Sequence, residues 1–243
     1  MSPSVRPSAS ADADPILDHL RRAAALALWQ LEAIAIRPAA PFRLKSGALS
    51  PLYVNGRRGV ADPAFLALVT AAAHRLLRRM TTAPPDAIAG GETAGIPYAF
   101  HLAAQLARPG LYVRKRAKGY GLSVDDGADD AAAAAGRVEG HVEAGQRVLL
   151  VEDLITAGGS KAVFLDALEA AGARVDDVLV VIDRQQGGAA RLADRGVRLH
   201  SVTDLDTLLD VGEVHGHINA AARAVVEAYR AAPDGWQPPS RSD

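Results

Sequence analysis

The sequence predicts an α/β fold built on a parallel β-sheet. Short aliphatic runs alternate along the chain with segments of helical periodicity, as expected when helices connect parallel strands. The aliphatic runs are continuous rather than alternating with polar residues, which is typical of strands buried on both faces. One such run, V-L-L-V at 148–151, is followed at once by two acids and a glycine-containing turn. Because ligands bind beyond the carboxyl ends of parallel strands, a binding site is expected at this turn.

Three helices and two strands of the sheet are predicted in the first half of the chain. Apolar residues at helical spacing predict the first helix over 15–33. The segment 34–60 is broken by proline, serine and glycine, and is predicted to hold two small strands around a Ser-Gly turn. Asp62 and Pro63, an N-cap and a first-turn proline, place the start of the second helix. The remaining elements are that helix to residue 80, a strand at 86–91, a helix at 96–106 and a strand at 110–115.

The second half repeats the alternation of strands and helices. A strand at 147–151 leads through the glycine turn into a helix at 160–171, which ends at Gly172 in the C-cap region. Between the two halves, 122–136 is rich in Asp, Ala and Gly, and such a segment is predicted to be disordered because it has little to bury. The remaining elements are strands at 177–183 and 197–202, and helices at 204–210 and 220–231.

Length and composition limit the class of protein. The 243 residues suit one large domain, predicted over 15–232, with disordered tails at 1–14 and 233–243. A formal net charge of -1 argues against a nucleic-acid binder held by bulk electrostatics. No apolar run approaches the roughly 20 residues of a membrane helix. The chain has no cysteine, which excludes disulfides and thiolate sites and is consistent with a cytoplasmic protein.

The turn after the 148–151 run has the groups needed to bind a sugar phosphate. T-A-G-G-S leading into a helix directs backbone N–H groups and the hydroxyls of Thr156 and Ser160 at one small volume, a typical anion cradle. Glu152 and Asp153 directly precede it and suit ribose hydroxyls or a magnesium shell. A phosphate site beside a diol site predicts a ribose 5-phosphate ligand. The alternative is a plain strand, turn and helix with two surface acids.

Four segments, taken together, resemble one enzyme family. V-L-L-V-E-D-L-I-T-A-G-G-S at 148–160 resembles the signature of the type I phosphoribosyltransferases, which bind phosphoribosyl diphosphate. Three others resemble orotate phosphoribosyltransferase: F-R-L-K-S-G-A-L-S-P-L-Y-V-N at 42–55, V-R-K-R-A-K-G-Y-G at 113–121 and V-I-D-R-Q at 181–185. The resemblance spans about 16–230 in the same order. It implies the type I phosphoribosyltransferase fold with a small N-terminal hood segment at 15–60 that binds the base, and a mobile loop at 115–140.

The resemblance implies a glycosyltransferase of the pentosyltransferase class. Its reaction would transfer ribose 5-phosphate from phosphoribosyl diphosphate to orotate, giving orotidine 5'-phosphate and diphosphate in pyrimidine biosynthesis. It also implies Mg²⁺ as cofactor and a homodimer whose mobile loops reach across to the neighbouring site, without nucleic-acid or membrane partners. Two alternatives stay open: a phosphoribosyltransferase for another base, and a non-catalytic sensor of phosphoribosyl diphosphate.

The family's roles carry over to matching positions of this sequence. Arg114, Lys118 and Asp153 are implied to be catalytic, the two cations because they would stabilise the departing diphosphate. Residues implied to bind phosphoribosyl diphosphate are Lys45, Arg114, Lys115, Lys118, Tyr120, Glu152, Asp153, Leu154, Ile155, Thr156, Ala157, Gly158, Gly159 and Ser160. Residues implied to bind orotate are Tyr53, Val54, Thr156 and Arg184, whose guanidinium suits a carboxylate. Mg²⁺ is implied to bind mainly through the substrate, with Glu152 and Asp153 as candidate protein ligands.

Three positions qualify these site assignments, and a fourth, Trp236, concerns the C-terminal tail. Tyr120 stands where many family members have a loop histidine, and it cannot carry a positive charge. Ala94 stands where many have a lysine, so one phosphate contact is missing or is supplied otherwise. For Arg184, a structural ion pair with Asp183 or another acid is the alternative role. Trp236 lies in a proline-rich tail and is expected to be exposed.

Overall fold

A computed structural model describes residues 14–44, 47–79, 83–116 and 130–239. Two small antiparallel sheets come first: β1 (Ile34–Ile36) pairs with β4 (Leu52–Val54), and β2 (Phe42–Arg43) pairs with β3 (Leu49–Ser50). The main sheet consists of β5 (Ala87–Gly91), β6 (Gly110–Val113), β7 (Val138–Glu139), β8 (Val148–Ile155), β9 (Asp177–Asp183) and β10 (Arg198–Asp204). Its strand order is β10-β9-β8-β5-β6-β7. All neighbours are parallel except β6 and β7.

The predicted α/β class is confirmed, and helices cover both faces of the sheet. The helices are α1 (Pro15–Gln30), α2 (Pro63–Leu77), α3 (Gly95–Leu106), α4 (Asp130–Ala135), α5 (Gly159–Ala170), α6 (Gly188–Ala193), α7 (Leu205–Val214) and α8 (Ala220–Ala231), with a 3₁₀ helix at Gly56–Ala61. Along β8, alternate side chains enter two hydrophobic cores. Leu149 and Val151 pack with α1, α2, α3 and α7, whereas Val148 and Leu150 pack with α5 and α6. Among the described residues, no helix has the length and apolar character to cross a membrane.

The structure differs from the sequence prediction mainly at four places. The strand predicted at 147–151 continues to Ile155, so both acids lie within β8 rather than in a loop. Part of the segment predicted to be disordered is helical, because α4 occupies its end and lies against α5. Several short elements were not predicted, namely β7, α6, the 3₁₀ helix and two of the four strands within 34–60. Trp236 is half-buried rather than exposed, because its ring packs edge-on against Tyr229 with the centroids 5.7 Å apart.

The start of α1 depends on Asp14, which also ties α1 to α2. Its carboxylate accepts a hydrogen bond from the Leu17 backbone N–H at 3.1 Å, as an N-cap does. Arg75 on α2 donates from Nε to the same carboxylate at 2.7 Å. The hydrogen bond from Arg75, and then the one from Leu17, lower the pKa of Asp14 from 3.8 to about 2.

This lowered pKa predicts how stability depends on pH. A carboxyl whose pKa is depressed by folding stabilises the protein above its unfolded pKa, and the stabilisation is lost as the pH falls through the folded pKa. We expect Asp14→Asn, which retains a capping side chain, to lower the Tm at neutral pH. The difference in Tm from the wild type should shrink as the pH falls from 3.8 to about 2. Thermal unfolding of both proteins across this range tests it, and a constant difference would show that the charge of Asp14 contributes nothing.

Candidate active site

The two neighbouring acids of β8 project from opposite faces of the sheet. Successive strand residues alternate between faces, so Glu152 continues the row of Val148 and Leu150 towards α5. Asp153 continues the row on the other face, towards the 3₁₀ helix. A β-carbon added at Gly56 would lie 3.2 Å from Asp153 Oδ2, which shows how closely that turn approaches the carboxylate. The alternation keeps two like charges apart while both stay at the carboxyl end of the strand.

Glu152 is buried between α5 and the start of α3. Lys161 on α5 donates from Nζ to Glu152 Oε2 at 2.5 Å. The other oxygen, Oε1, is buried and has no hydrogen-bond partner in the part of the chain that the structure describes. Beside Oε1 lie Gly91 and Gly95, where an added β-carbon would come within 2.4 and 2.3 Å of it. Burial raises the pKa of the Glu152 carboxyl, and the Lys161 ammonium partly opposes this rise.

Asp153 is half-buried beside Tyr98, which fixes the neighbouring turn. The Tyr98 hydroxyl donates a hydrogen bond of 2.6 Å to the Gly56 carbonyl. Burial, and secondly the negative charge of Asp153, raise the pKa of Tyr98, so the phenol stays protonated at neutral pH. The hydroxyl therefore holds the turn at Gly56 next to Asp153 without adding a second negative charge.

Both acids line one open cavity of about 260 Å³ at the carboxyl edge of the sheet. Its walls come from β4 and the following turn, the loop after β5, the end of β6, β8 and the start of α5. The lining residues are Tyr53, Val54, Asn55, Gly56, Arg57, Glu92, Thr93, Ala94, Lys115, Glu152, Asp153, Leu154, Ser160 and Lys161. The charged groups of both signs in this lining suit a polar, anionic ligand that also carries hydroxyls.

The loop between β8 and α5 has the backbone geometry that the predicted anion cradle requires. Gly158 adopts a left-handed conformation with φ of 80°, which glycine allows without steric cost, and α5 begins at the next residue. The first N–H groups of a helix lack intrahelical partners and carry the positive end of its dipole. Ser160, on this first turn, lines the cavity. The cradle therefore adjoins the two acids, in the arrangement expected for a phosphate and a sugar diol.

Arg184 lies at the end of β9, next to the end of β8. Its backbone N–H donates to the Ile155 carbonyl at 3.0 Å, which joins the two strand ends. Its side chain is only 8% exposed, and Nε and Nη2 have no hydrogen-bond partner among the residues described. Burial lowers the pKa of this guanidinium, and its interaction with Tyr229 opposes the shift. Among the described residues Arg184 forms no ion pair with Asp183, whose Oδ1 accepts a hydrogen bond from the Gln185 backbone N–H instead. Arg184 does not line the cavity.

The cavity brings together one group of the predicted site residues and leaves others aside. Those that line it are Tyr53, Val54, Lys115, Glu152, Asp153, Leu154 and Ser160. Arg114 instead forms a salt bridge of 3.4 Å with Glu139 on β7. The Ile155 side chain is buried in the core beneath α5, so only its backbone is near the cradle. Thr156, Ala157, Gly158 and Gly159 form or adjoin the cradle without lining the cavity. Lys45, Lys118 and Tyr120 lie outside the described residues.

The chain is similar in sequence and in fold to proteins of known function. A model of the phosphoribosyl transferase domain matches residues 60–205. The orotate phosphoribosyltransferase of Rhizobium johnstonii is 38% identical over 210 residues, which cover 86% of each chain. The chain belongs to the orotate phosphoribosyltransferase family. A crystal structure of that enzyme from Aeropyrum pernix superposes with a TM-score of 0.62 and 32% identity, covering 76% of this chain and 96% of the other.

A second solved member of the orotate phosphoribosyltransferase family comes from Mycobacterium tuberculosis. It was determined in complex with 5-phospho-alpha-D-ribosyl 1-diphosphate. Its TM-score is 0.59 and its identity 26%, and the match covers 78% of this chain and 98% of that one. The fold of this chain is therefore one on which a related protein holds phosphoribosyl diphosphate.

Three charged lining residues were not among the sequence predictions. Arg57 follows the turn at Gly56, Glu92 follows β5, and Lys161 follows Ser160. A signal existed for two of them. Glu92 stands at the carboxyl end of a predicted strand, and Lys161 is the next residue after the type I phosphoribosyltransferase signature at 148–160. Arg57 had no such signal, because the turn that carries it reaches the cavity only through the packing of Tyr98 and Asp153.

The space around Glu152 makes Gly95 a sensitive position in this family member. In Gly95→Ala, the new β-carbon would lie 2.3 Å from Glu152 Oε1 and 2.5 Å from the Val151 carbonyl oxygen, so α3 must shift. Such overpacking costs about 1–3 kcal/mol, or a fall in Tm of roughly 2–12 °C for a chain of this size. Gly159→Ala is the control for Tm, because its nearest atom outside the local chain is 3.6 Å away. Equal Tm values for both variants would show that the packing at Gly95 is not tight.

Proposed function

We propose that the chain catalyses the transfer of ribose 5-phosphate from phosphoribosyl diphosphate to orotate, as a step of pyrimidine biosynthesis. The observation that carries the proposal is the single cavity that joins Asp153, Lys115 and Tyr53. The acid lies beside the proposed phosphate cradle, the cation is proposed to meet the departing diphosphate, and Tyr53 belongs to the segment that resembles the family's base site. One ligand with phosphate, diol and diphosphate groups, and one base, account for all three.

The proposed reaction forms one bond and breaks one at ribose C1. The base nitrogen supplies the electron pair of the new C1–N bond and releases its proton to diphosphate or to solvent, while diphosphate leaves with the electron pair of the C1–O bond. The site contributes by positioning both reactants and by stabilising charge on the leaving group. The backbone N–H of Lys115 donates to Glu92 Oε2 at 2.8 Å, which fixes the start of the segment carrying Lys118. Arg114 and Lys118 complete the proposed set of cations, and Arg184 with Thr156 is proposed to hold the orotate carboxylate.

The site fits Mg²⁺ only if the substrate supplies most of its ligands. Within the described ranges, no group of three or more acidic or histidine side chains is placed to hold a metal. Mg²⁺ commonly binds through one or two carboxylates together with substrate phosphates and water. Asp153 suits this role better than Glu152, whose Oε2 already accepts from Lys161. When bound with the donor, the ion would supply positive charge to the diphosphate.

The proposal includes the assembly and location of the enzyme. A homodimer is proposed, in which the segment after β6 of each protomer reaches the neighbouring site, and its mass in solution is the direct measurement. A cytoplasmic location and the absence of nucleic-acid and membrane partners stay predictions. The division into a tail at 1–14, a domain at 15–232 with its hood segment and mobile loop, and a tail at 233–243 also stays a prediction.

The proposed activity is tested by mixing the protein with orotate, phosphoribosyl diphosphate and Mg²⁺. We expect the absorbance of orotate to fall only when all three are present, and orotidine 5'-phosphate and diphosphate to form in equal amounts. Uracil and purine bases, offered in competition, should not displace orotate. Turnover of another base would favour the alternative that the chain is a phosphoribosyltransferase for that base. Binding of phosphoribosyl diphosphate without turnover of any base would favour the sensor.

A further inference from the structure

Lys161 is a buried cation on the first turn of α5, at the edge of the cavity. Its side chain is 6% exposed, yet the residue lines the cavity together with Ser160 and Glu152. An ammonium group is costly to bury without partners. Its Nζ lies 2.5 Å from Glu152 Oε2 and 3.5 Å from Ser160 Oγ. The fold therefore holds a positive charge at this place with one strong partner and one weak one.

Glu152 connects this ammonium to the segment after β5. One carboxylate oxygen accepts from Lys161, and the other lies against the start of α3, within 2.3 Å of where a β-carbon at Gly95 would be. Ala94, which precedes Gly95, lines the same cavity but contributes only a methyl group. The Glu152 carboxylate therefore lies between the Lys161 ammonium and the start of α3, which directly follows Ala94. The positive charge missing at residue 94 is present nearby, carried by α5 instead.

The ammonium of Lys161 can donate one further hydrogen bond to a ligand. An ammonium has three donors, and Glu152 and Ser160 account for two in the described structure. We propose that Lys161 binds the diphosphate group of phosphoribosyl diphosphate and replaces, from α5, the cation that residue 94 does not provide. The inference rests on the proposed function and names a binding residue of that same site.

Charge balance supports the same role. A diphosphate entering the cavity meets the carboxylates of Glu152, Asp153 and Glu92 as well as the cations Arg57 and Lys115. Like charges at short range repel strongly where water is excluded. Lys161 offsets the charge of Glu152, the most buried of these acids, on the side facing α5. It therefore removes a repulsion as well as adding an attraction.

Two small ligands separate the possible roles of Lys161. Inorganic diphosphate tests contact with the leaving group, and ribose 5-phosphate tests contact with the rest of the donor. We expect Lys161→Met to weaken diphosphate binding by roughly ten- to a hundredfold, the usual range for a hydrogen bond to a charged group. Binding of ribose 5-phosphate should change by much less, and Lys161→Arg should recover part of the diphosphate affinity.

A matched control removes a different cation that is bound to α5. Arg195 forms salt bridges of 2.8 Å with Asp166 and with Glu169 on the outer side of this helix. Arg195→Met should leave both ligand affinities unchanged. Should Lys161→Met fail to fold, Lys161→Gln retains a hydrogen-bond donor towards Glu152 and supplies the same comparison.

The outcomes are distinct from those of the orotate assay, which uses the wild-type protein alone. Selective loss of diphosphate affinity supports the inference. Equal loss for both ligands would show that Lys161 acts on the ribose through Glu152, and would overturn it. A lower Tm with both affinities unchanged would assign Lys161 a structural role and overturn it as well.

Discussion

Asp153→Asn is expected to lower kcat/KM for phosphoribosyl diphosphate by about ten- to a hundredfold. A hydrogen bond to a charged group contributes about 1.5–3 kcal/mol, and each 1.36 kcal/mol of activation free energy is tenfold in rate. The carboxylate lines the cavity beside the phosphate cradle, where ribose hydroxyls or substrate-bound Mg²⁺ would meet it. Asparagine keeps the shape but loses the charge. Steady-state kinetics at varied donor concentration measure the effect.

The fold should survive this substitution. Asp153 forms no salt bridge in the described ranges, and the adjacent turn is held by the hydrogen bond between Tyr98 and Gly56. The Tm of Asp153→Asn should therefore stay close to that of the wild type. Asp166→Asn serves as the control, because this acid lies on the outer side of α5 and pairs with Arg195. Wild-type kinetics in a folded Asp153→Asn protein would remove Asp153 from the proposed site.

Arg184→Ala is expected to raise the KM for orotate by about ten- to a hundredfold, with a much smaller effect on the dissociation constant of the donor. Orotate differs from uracil by a carboxylate, so a selective site needs a cation or several donors at that group. Arg184 is buried, and two of its three guanidinium nitrogens have no partner among the described residues. Buried polar groups are normally satisfied, and a bound carboxylate would satisfy these two.

The alternative for Arg184 makes a different prediction. If the guanidinium were part of a structural ion pair, its removal would lower the Tm and leave orotate affinity unchanged in the folded protein. The described contacts include Tyr229 but no acid, so we expect little loss of stability. Tyr229→Phe removes the neighbouring hydroxyl alone and should affect orotate binding less than Arg184→Ala does. Measuring Tm and orotate affinity on one preparation of each variant decides between the two roles, and a shift in Tm alone would contradict ours.

The sequence predicted the fold where hydrophobic runs were long enough to decide it. The strand 177–183 agrees with β9 residue for residue, because a run of six buried residues between two helical layers leaves a clear pattern. The end of β8 was placed too early, since two adjacent acids are typical of a loop. Glu152 stays in the strand because Lys161 and the glycines of β5 and α3 accommodate its carboxylate. That compensation comes from residues distant in sequence, which local patterns do not report.

The short elements were missed for a related reason. Strand β7 has two residues, and only pairing with β6 makes it a strand. Helix α6 has six residues and begins at the second of two adjacent glycines, a pair that is typical of a loop. For the site, the motif located Asp153 and Ser160 correctly at one cavity. It could not show that Arg114 turns to Glu139, because that contact depends on the return of the chain along β7.

The antiparallel pairing of β6 with β7 has a consequence for how this enzyme can diversify. Val113 pairs with Val138, and the Arg114 backbone N–H donates to the Arg137 carbonyl at 2.9 Å, so the excursion between them closes on itself at the sheet edge. Closing a longer excursion costs only about 0.6 kcal/mol for each doubling of its length. Insertions and deletions can therefore accumulate in this one segment during evolution while the strand register beneath it is unchanged. At this edge of the sheet, the length of the connection between β6 and β7 can change without any change in the order or pairing of the strands.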